Sequence, residues 1–169
     1  MNRKYEFTGE TKIHFGITLR QIICVTAFAS VSVGDIGGWI ESEDNLSQFG
    51  NAWVDGNAQV YGNARVYGDA QVYGNARVYG NARVYGDAEV YGDAQVYGNA
   101  EVLTKKVITI NSDYHHVTIS DTHITIGCQN HSKEFWSNAG YDEVFNIDGE
   151  QSAKLWFEFK PFIMKLAGL

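Results

Sequence analysis

Two residue types recur through the middle of this 169-residue chain in a pattern suited to recognition chemistry. They are the tyrosines Tyr61, Tyr67, Tyr73, Tyr79, Tyr85, Tyr91 and Tyr97, and the arginines Arg65, Arg77 and Arg83. A phenol stacks and hydrogen-bonds at little side-chain entropy cost, and a guanidinium beside it pairs with carboxylate or phosphate or lies over a ring. The plain structural use of the same tyrosines is to favour β structure and stack on their own copies. A second group with chemical potential is Cys128-Gln129-Asn130-His131, whose spacing resembles a metal-ligand pair, with His115, His116 and His123 close by in sequence. Strand alternation argues against a zinc site, because it puts Cys128 on the side of Ile124 and Ile126 and His123 on the other. Cys128 therefore reads as a small buried hydrophobe, and no metal is expected. No glycine loop precedes a helix in the manner of a phosphate cradle, and no Ser-His-Asp or Cys-His set can be assembled, so no catalytic residues are assigned.

The element that positions the tyrosines and arginines runs from Gly50 to Leu103. It is nine uninterrupted hexapeptides of the form Gly-Asn/Asp-Ala-X-Val-Tyr. Within each, Ala and Val point one way while X and Tyr point the other, and Gly-Asn or Gly-Asp supplies a corner. The runs are too short for hairpins, and a corner at every sixth residue fits a coiling chain. The pattern resembles the hexapeptide repeat of left-handed β-helices, in which three hexapeptides complete a triangular coil. That resemblance implies that residues 18 apart stack, that nine repeats make three coils, and that coils lie about 4.8 Å apart. The outward columns then read Asp55-Tyr73-Tyr91, Tyr61-Tyr79-Tyr97 and Tyr67-Tyr85-Leu103, beside Trp53-Gln71-Glu89, Gln59-Arg77-Gln95 and Arg65-Arg83-Glu101. Fold class is thus mainly β, a parallel β-helix with a cap at each end.

Residues 1–31 read as the N-terminal cap, with strand-like Tyr5-Glu6-Phe7-Thr8 and Lys12-Ile13-His14-Phe15 and a buried strand or short helix from Ile22 to Phe28. Residues 32–49 read as an irregular first coil, one 18-residue period before Gly50, and Trp39 as a residue packed over it. Residues 104–169 form a C-terminal cap. There a turn is expected at Asn111-Ser112-Asp113, and Asp121-Thr122 closes a hairpin that pairs Ile119 with Ile124 and Thr118 with Thr125, apolar on one face and polar on the other. Ser132 is placed to cap a short helix holding Phe135 and Trp136, and Asp148-Gly149-Glu150-Gln151 to open a last one. Leu155, Trp156, Phe159, Phe162, Ile163 and Leu166 recur along one face of that helix. The stripe predicts packing on the hairpin. Trp156, Phe159, Phe162 and Ile163 are the candidates should it serve oligomerisation instead. Pro161 predicts a kink or break after Lys160.

The formal charge of −7 is spread as −2, −3 and −2 over residues 1–49, 50–103 and 104–169. Such diffuse acidity argues against direct nucleic-acid binding, which needs a basic stripe. Two distant cysteines, Cys24 and Cys128, give no disulfide framework and suit a reducing compartment. The apolar run Ile22 to Val33 is too short to span a bilayer, so no membrane association is expected.

The flanks carry a second resemblance. Asp35-Ile36-Gly37-Gly38-Trp39-Ile40-Glu41, Asn45-Leu46-Ser47, Gly50-Asn51-Ala52-Trp53-Val54 and Ile126-Gly127-Cys128-Gln129-Asn130-His131-Ser132 are similar to hexapeptide-repeat proteins encoded by bacteriophages and prophages. This resemblance implies a phage setting, in the cytoplasm of an infected or lysogenic bacterium, and no catalytic residues. The expectation is a non-enzymatic, cofactor-free binding protein and a homo-oligomer, dimer or trimer. It would inhibit a bacterial host protein of a defence system through the outward ladders, chiefly Tyr61, Tyr79, Tyr97, Arg65, Arg77 and Arg83. Alternatives are sequestration of a nucleotide signal, a self-assembling spacer, and acyl transfer, since many hexapeptide proteins are trimeric acyltransferases with a histidine base. Against the last, residues 50–103 hold no histidine. The five present are His14, His115, His116, His123 and His131.

Overall fold

The computed structural model describes residues 3–104, 107–111 and 116–169. It opens with a long hairpin, β1 (Tyr5–His14) and β2 (Ile17–Cys24), followed by β3 (Ile36–Ile40) and a 3-10 turn at Glu43–Asn45. Nine two-residue strands then recur at six-residue intervals. They are β4 (Trp53–Val54), β5 (Gln59–Val60), β6 (Arg65–Val66), β7 (Gln71–Val72), β8 (Arg77–Val78), β9 (Arg83–Val84), β10 (Glu89–Val90), β11 (Gln95–Val96) and β12 (Glu101–Val102). Every third one pairs in parallel, so Gln59 lies beside Arg77 and Arg77 beside Gln95. This is a three-sided parallel β-solenoid with 18-residue coils, as the period predicts. Its interior is a column of hexapeptide Ala and Val side chains, none of them more than 2% exposed from Ala52 to Val102. The corners require glycine. Gly80 has φ +70°, and a Cβ there would sit 3.0 Å from the Gly98 nitrogen of the next coil. Corner amides add a ladder of their own, Asn63 Nδ2 donating to Asn81 Oδ1 and Asn81 Nδ2 to Asn99 Oδ1 (3.1 and 3.2 Å).

The first coil departs from the expected 18 residues. Trp39 pairs with Gln59 and Leu46 with Val66, a spacing of 20. The two added residues fall between Ser47 and Asn51, just after the 3-10 turn, where Asn45 is fully buried. Its Nδ2 donates to the carbonyls of Gly62 (3.0 Å) and Ala64 (2.9 Å), and its Oδ1 accepts from the Ser42 N–H (2.9 Å). One side chain thus satisfies the backbone that a regular coil would have paired. Tyr5 seals the same end, buried and donating to the Leu46 carbonyl at 2.7 Å. The N-terminal hairpin extends one side of the prism, giving a sheet in the order β1-β2-β3-β5-β8-β11.

At the other end stands an antiparallel sheet of β13 (Ile108–Asn111), β14 (His116–Ile119), β15 (His123–Ile126) and β16 (Gln129–Ser132). Ile119 pairs with Ile124 and Thr118 with Thr125, the register read from sequence. The polar face is buried rather than solvated, because it covers the solenoid's last edge. Thr118 Oγ1 accepts from Gln95 N–H (3.4 Å), Thr122 Oγ1 from Glu101 N–H (2.9 Å), and Asp121 from the N–H groups of Leu103 (2.5 Å) and Thr104 (2.8 Å). Those donors have no next coil to pair with, and a covered edge is what keeps a sheet end from recruiting another chain. The apolar face packs under two helical elements. Of the expected turn, Asn111 ends β13, while Ser112 and Asp113 lie outside the described residues.

Helix α1 (Lys133–Asn138) is capped by Ser132, whose hydroxyl accepts from Phe135 N–H. Helix α2 runs from Tyr141 to Ala167 but breaks at Gly149, which has φ +82°. Tyr141 and Phe157 have ring centroids 5.8 Å apart, whereas a straight helix would separate them by about 24 Å, so the chain folds back at the glycine. The chain stays helical through Pro161, so the break expected after Lys160 is absent, and the non-helical backbone of this run is at Gly149. Burial of Ile163, Met164 and Ala167 just beyond the proline offsets the hydrogen bond it removes. Residues 141–148 are also helical, ahead of the start that the capping signal at Asp148 predicts. The predicted stripe divides. Trp156 and Ile163 are buried in the chain's own second core with Trp136, Ile119 and Ile124, and are therefore unavailable as an oligomer surface. Phe159 and Phe162 remain exposed.

Candidate functional site: outward ladders on three faces

Identical residues 18 positions apart must stack where coils repeat without insertion, and the tyrosines do. Ring centroids are 5.1 Å apart for Tyr61–Tyr79, 4.7 Å for Tyr79–Tyr97, 5.0 Å for Tyr67–Tyr85 and 5.4 Å for Tyr73–Tyr91, with planes within 12° of parallel. The columns match those read from the period. They do not share one surface. Tyr61, Arg77, Tyr79 and Tyr97 lie on the face of β5, β8 and β11; Arg65, Tyr67, Arg83 and Tyr85 on that of β6, β9 and β12; Tyr73 and Tyr91 on that of β4, β7 and β10.

The three faces differ in character. The first is covered at both ends. Tyr61 is only 8% exposed, with the His14 ring from the hairpin 5.6 Å from its own, which corrects its expected role as an open contact residue. Tyr97 is half-buried at the other end, where Asn130 Nδ2 donates to its backbone carbonyl. Burial holds the Tyr79 hydroxyl proton well beyond the ordinary phenol range, and Tyr79 donates to Gln95 Oε1 at 3.4 Å. The second face is the more open, with Arg65 and Arg83 exposed and Tyr67 and Tyr85 half-buried. Glu101 pairs with Arg83 at 3.4 Å and accepts from the Tyr85 hydroxyl at 3.4 Å. The third face is acidic. Asp35, Asp55 and Glu89 line a groove of about 410 Å³ with Trp53 and Tyr73, under the segment that holds Ser30 and Val31. In chain order the Tyr61-Tyr79-Tyr97 and Arg65-Arg83 columns flank the Asn63-Asn81-Asn99 corner, so one partner can reach both across that edge.

The cysteine and histidines are dispersed. Cys128 is exposed rather than buried, because the turn that begins at Gly127 (φ +57°) takes it out of the strand alternation. His131 pairs across from Ile124 and stacks on Phe135 (4.1 Å), whereas His123 pairs with Ser132, and burial lowers the affinity of both imidazoles for protons. His116 lies on β14, and His115 is outside the described residues. Among the described residues no group of three metal-ligating side chains comes together.

The residues missed in the sequence are Lys12, His14 and Phe15, read there only as part of a strand-like cap. The alternation of β1 was the available signal, since Lys12 and His14 are two apart and share a side. That side lies on the first face. The Lys12 ammonium sits 4.2 Å from the Trp39 ring centroid, above the Gln59-Arg77-Gln95 column. Burial first, and then the Arg77 charge, lower the Lys12 pKa; burial, Arg77 and Lys12 lower that of His14.

The fold and its columns define a β-solenoid protein of hexapeptide-repeat type with two dissimilar caps. Comparison agrees with that class. The YdcK β-solenoid repeat model matches residues 58–74, 70–86, 76–92 and 82–98. The chain is 42% identical over 50 residues to a protein of Escherichia coli (strain K12) described as uncharacterized acetyltransferase YdcK. Those residues are 30% of this chain and only 14% of that protein. Among the described residues, no helix is long and apolar enough to cross a membrane.

Proposed function

We propose that this chain is a non-enzymatic binding protein that inhibits a bacterial host protein, acting as a phage counter-defence factor in the cytoplasm of the infected cell. The observation that supports this reading most is the edge between the first two faces. There Tyr79 and the exposed Arg65 and Arg83 are held on a prism whose own backbone hydrogen bonds are satisfied coil by coil. Rigid aromatic and arginine side chains of this kind are favoured at interaction hot spots. The phage setting rests on the similarity of the flanking segments 35–41, 45–47 and 126–132 to phage-encoded repeat proteins. The test is capture from bacterial lysate with tagged chain, comparing wild type with Arg65→Ala/Arg83→Ala. A host protein retained in stoichiometric amount by wild type and lost by the variant supports the proposal. Equal retention by both moves the contact off this edge.

The description of the Escherichia coli relative as an acetyltransferase favours acyl transfer as a second reading. His14 packs on the coil wall, and among the described residues its buried Nε2 has no hydrogen-bond partner. Acetyl-CoA binding together with turnover that disappears in His14→Ala would establish this reading over the first. Assembly into a dimer or trimer would use Phe159 and Phe162, and concentration-dependent filaments would indicate a structural spacer.

A further inference from the structure

The tip of the N-terminal hairpin contains a contradiction that folding does not explain. His14 pairs with Ile17, leaving Phe15-Gly16 as a two-residue turn with φ +47° and +80°. Positive φ at both positions is the geometry of the type I′ turn, for which Asn-Gly is the favoured sequence. A phenylalanine there is strained, and strain of this kind gathers at functional sites. The ring gains no burial in return. Phe15 is 86% exposed, and Ile13 beside it 78% exposed.

Next to this ring lies a cationic cluster. Lys12 lies over the Trp39 ring, in the column that continues through Gln59 to Arg77, and His14 packs on Tyr61 of the same face; after burial the Arg77 charge acts on both, and no carboxylate among the described residues offsets it there. Glu41, which precedes Tyr61 in its column, is engaged by the Gly62 N–H at 2.7 Å. Among the described residues Arg77 makes no ion pair within 4 Å. Among the described residues the buried His14 Nε2 has no hydrogen-bond partner. Gln59 stands in the column between Trp39 and Arg77, and His14 faces Tyr61 one coil before Tyr79. Like charges gathered against an acidic chain, with an unpartnered ring nitrogen able to donate among them, are what an oxyanion would complete.

We propose that Lys12, His14 and Arg77 bind the phosphoryl group of a mononucleotide whose base stacks on the exposed ring of Phe15. The arginine and lysine supply charge, His14 Nε2 supplies a hydrogen bond in the tautomer that carries its proton there, and the Phe15 face supplies the sequence-tolerant stacking that bases find on aromatic rings. The site gives the nucleotide-sequestering alternative a location. It does not rest on the host-protein contact at the Arg65-Arg83 edge.

Isothermal titration of the full chain with ATP, inorganic phosphate and adenosine tests it. ATP should bind with a dissociation constant on the order of micromolar, phosphate should compete weakly, and adenosine should bind at least tenfold more weakly than ATP. Lys12→Gln and Arg77→Gln should each weaken ATP by about tenfold or more and flatten its salt dependence. Phe15→Asn is the decisive variant, because asparagine suits the turn. It should unfold at the same temperature or higher, keep the weak phosphate competition, and lose about tenfold in ATP affinity. Absence of ATP binding at millimolar concentration, adenosine binding as tightly as ATP, or full ATP affinity in Lys12→Gln/Arg77→Gln would each overturn the proposal. The lysate capture with Arg65→Ala/Arg83→Ala is scored separately, so either proposal can fail alone.

Discussion

The solenoid and the C-terminal unit use aromatic residues in opposite ways. In the coils the tyrosines point outward and stack on their own copies, while the inner column of the hexapeptides is alanine and valine. In the C-terminal unit the large rings turn inward: Trp136 is buried with its Nε1 donating to the Ile124 carbonyl at 2.7 Å, and Trp156 packs 4.8 Å from it. A repeat of six residues leaves room inside for small side chains only, so its aromatics have nowhere to go but the surface. A sheet covered by a folded-back helix has a thicker interior that must be filled by a few large groups. One region therefore divides its stability among many equal contacts, and the other concentrates it in a handful of residues.

That contrast can be broken most directly at Trp136. Trp136→Ala should cost about 4 kcal/mol, and because the two cores are separate clusters the loss should appear as early melting of the C-terminal unit with the solenoid still folded. Calorimetry showing one cooperative transition shifted as a whole would instead make the two regions a single unit. Asn45→Ala is the comparable lesion in the solenoid's irregular coil. It strands two buried carbonyls and should cost about 3 kcal/mol by denaturant titration.

A smaller effect concerns pH. Burial lowers the Lys4 pKa to about 8 from an ordinary 10.5, although its ammonium donates to the Ala52 carbonyl at 2.7 Å. Between those values the unfolded chain holds a proton that the folded chain has released, so stability should rise as pH rises through that window. Thermal melting from pH 7.5 to 9.5 should show that gain in wild type and a flatter profile in Lys4→Met. The smallest expected effect is at the ladder itself. Arg83→Ala removes an exposed pair with Glu101 and should change stability by less than about 0.5 kcal/mol, which would confirm that the outer columns are not what holds the prism together.

Much of this could be read in advance where the cause is local or periodic. The coil length, the identity of each column, the Ile119–Ile124 pairing and the Ser132 cap all depend on spacing or on a side chain's own neighbours. The departures occur where a distant segment intervenes. The first coil is longer by two residues between Ser47 and Asn51, where the Gln48 amide bonds the Lys4 and Tyr5 backbone of the N-terminal cap. Helix α2 breaks at Gly149 and passes through Pro161, since Ile163 and Met164 beyond the proline are anchored in a core built elsewhere in sequence. Tyr61 looks equivalent to Tyr79 in the repeat, yet His14 of the N-terminal hairpin covers it.

By itself, then, the sequence determined the solenoid and the order of residues along each of its edges, because a strict six-residue period leaves a stacked coil little freedom. Only the tertiary structure decided which parts of those edges stay open, and that Lys12 and His14 come near Arg77 beside the first ladder. Neither can be read from the repeat, since both depend on how the non-repeating caps settle on it, and that is fixed by long-range packing and hydrogen bonding rather than by period.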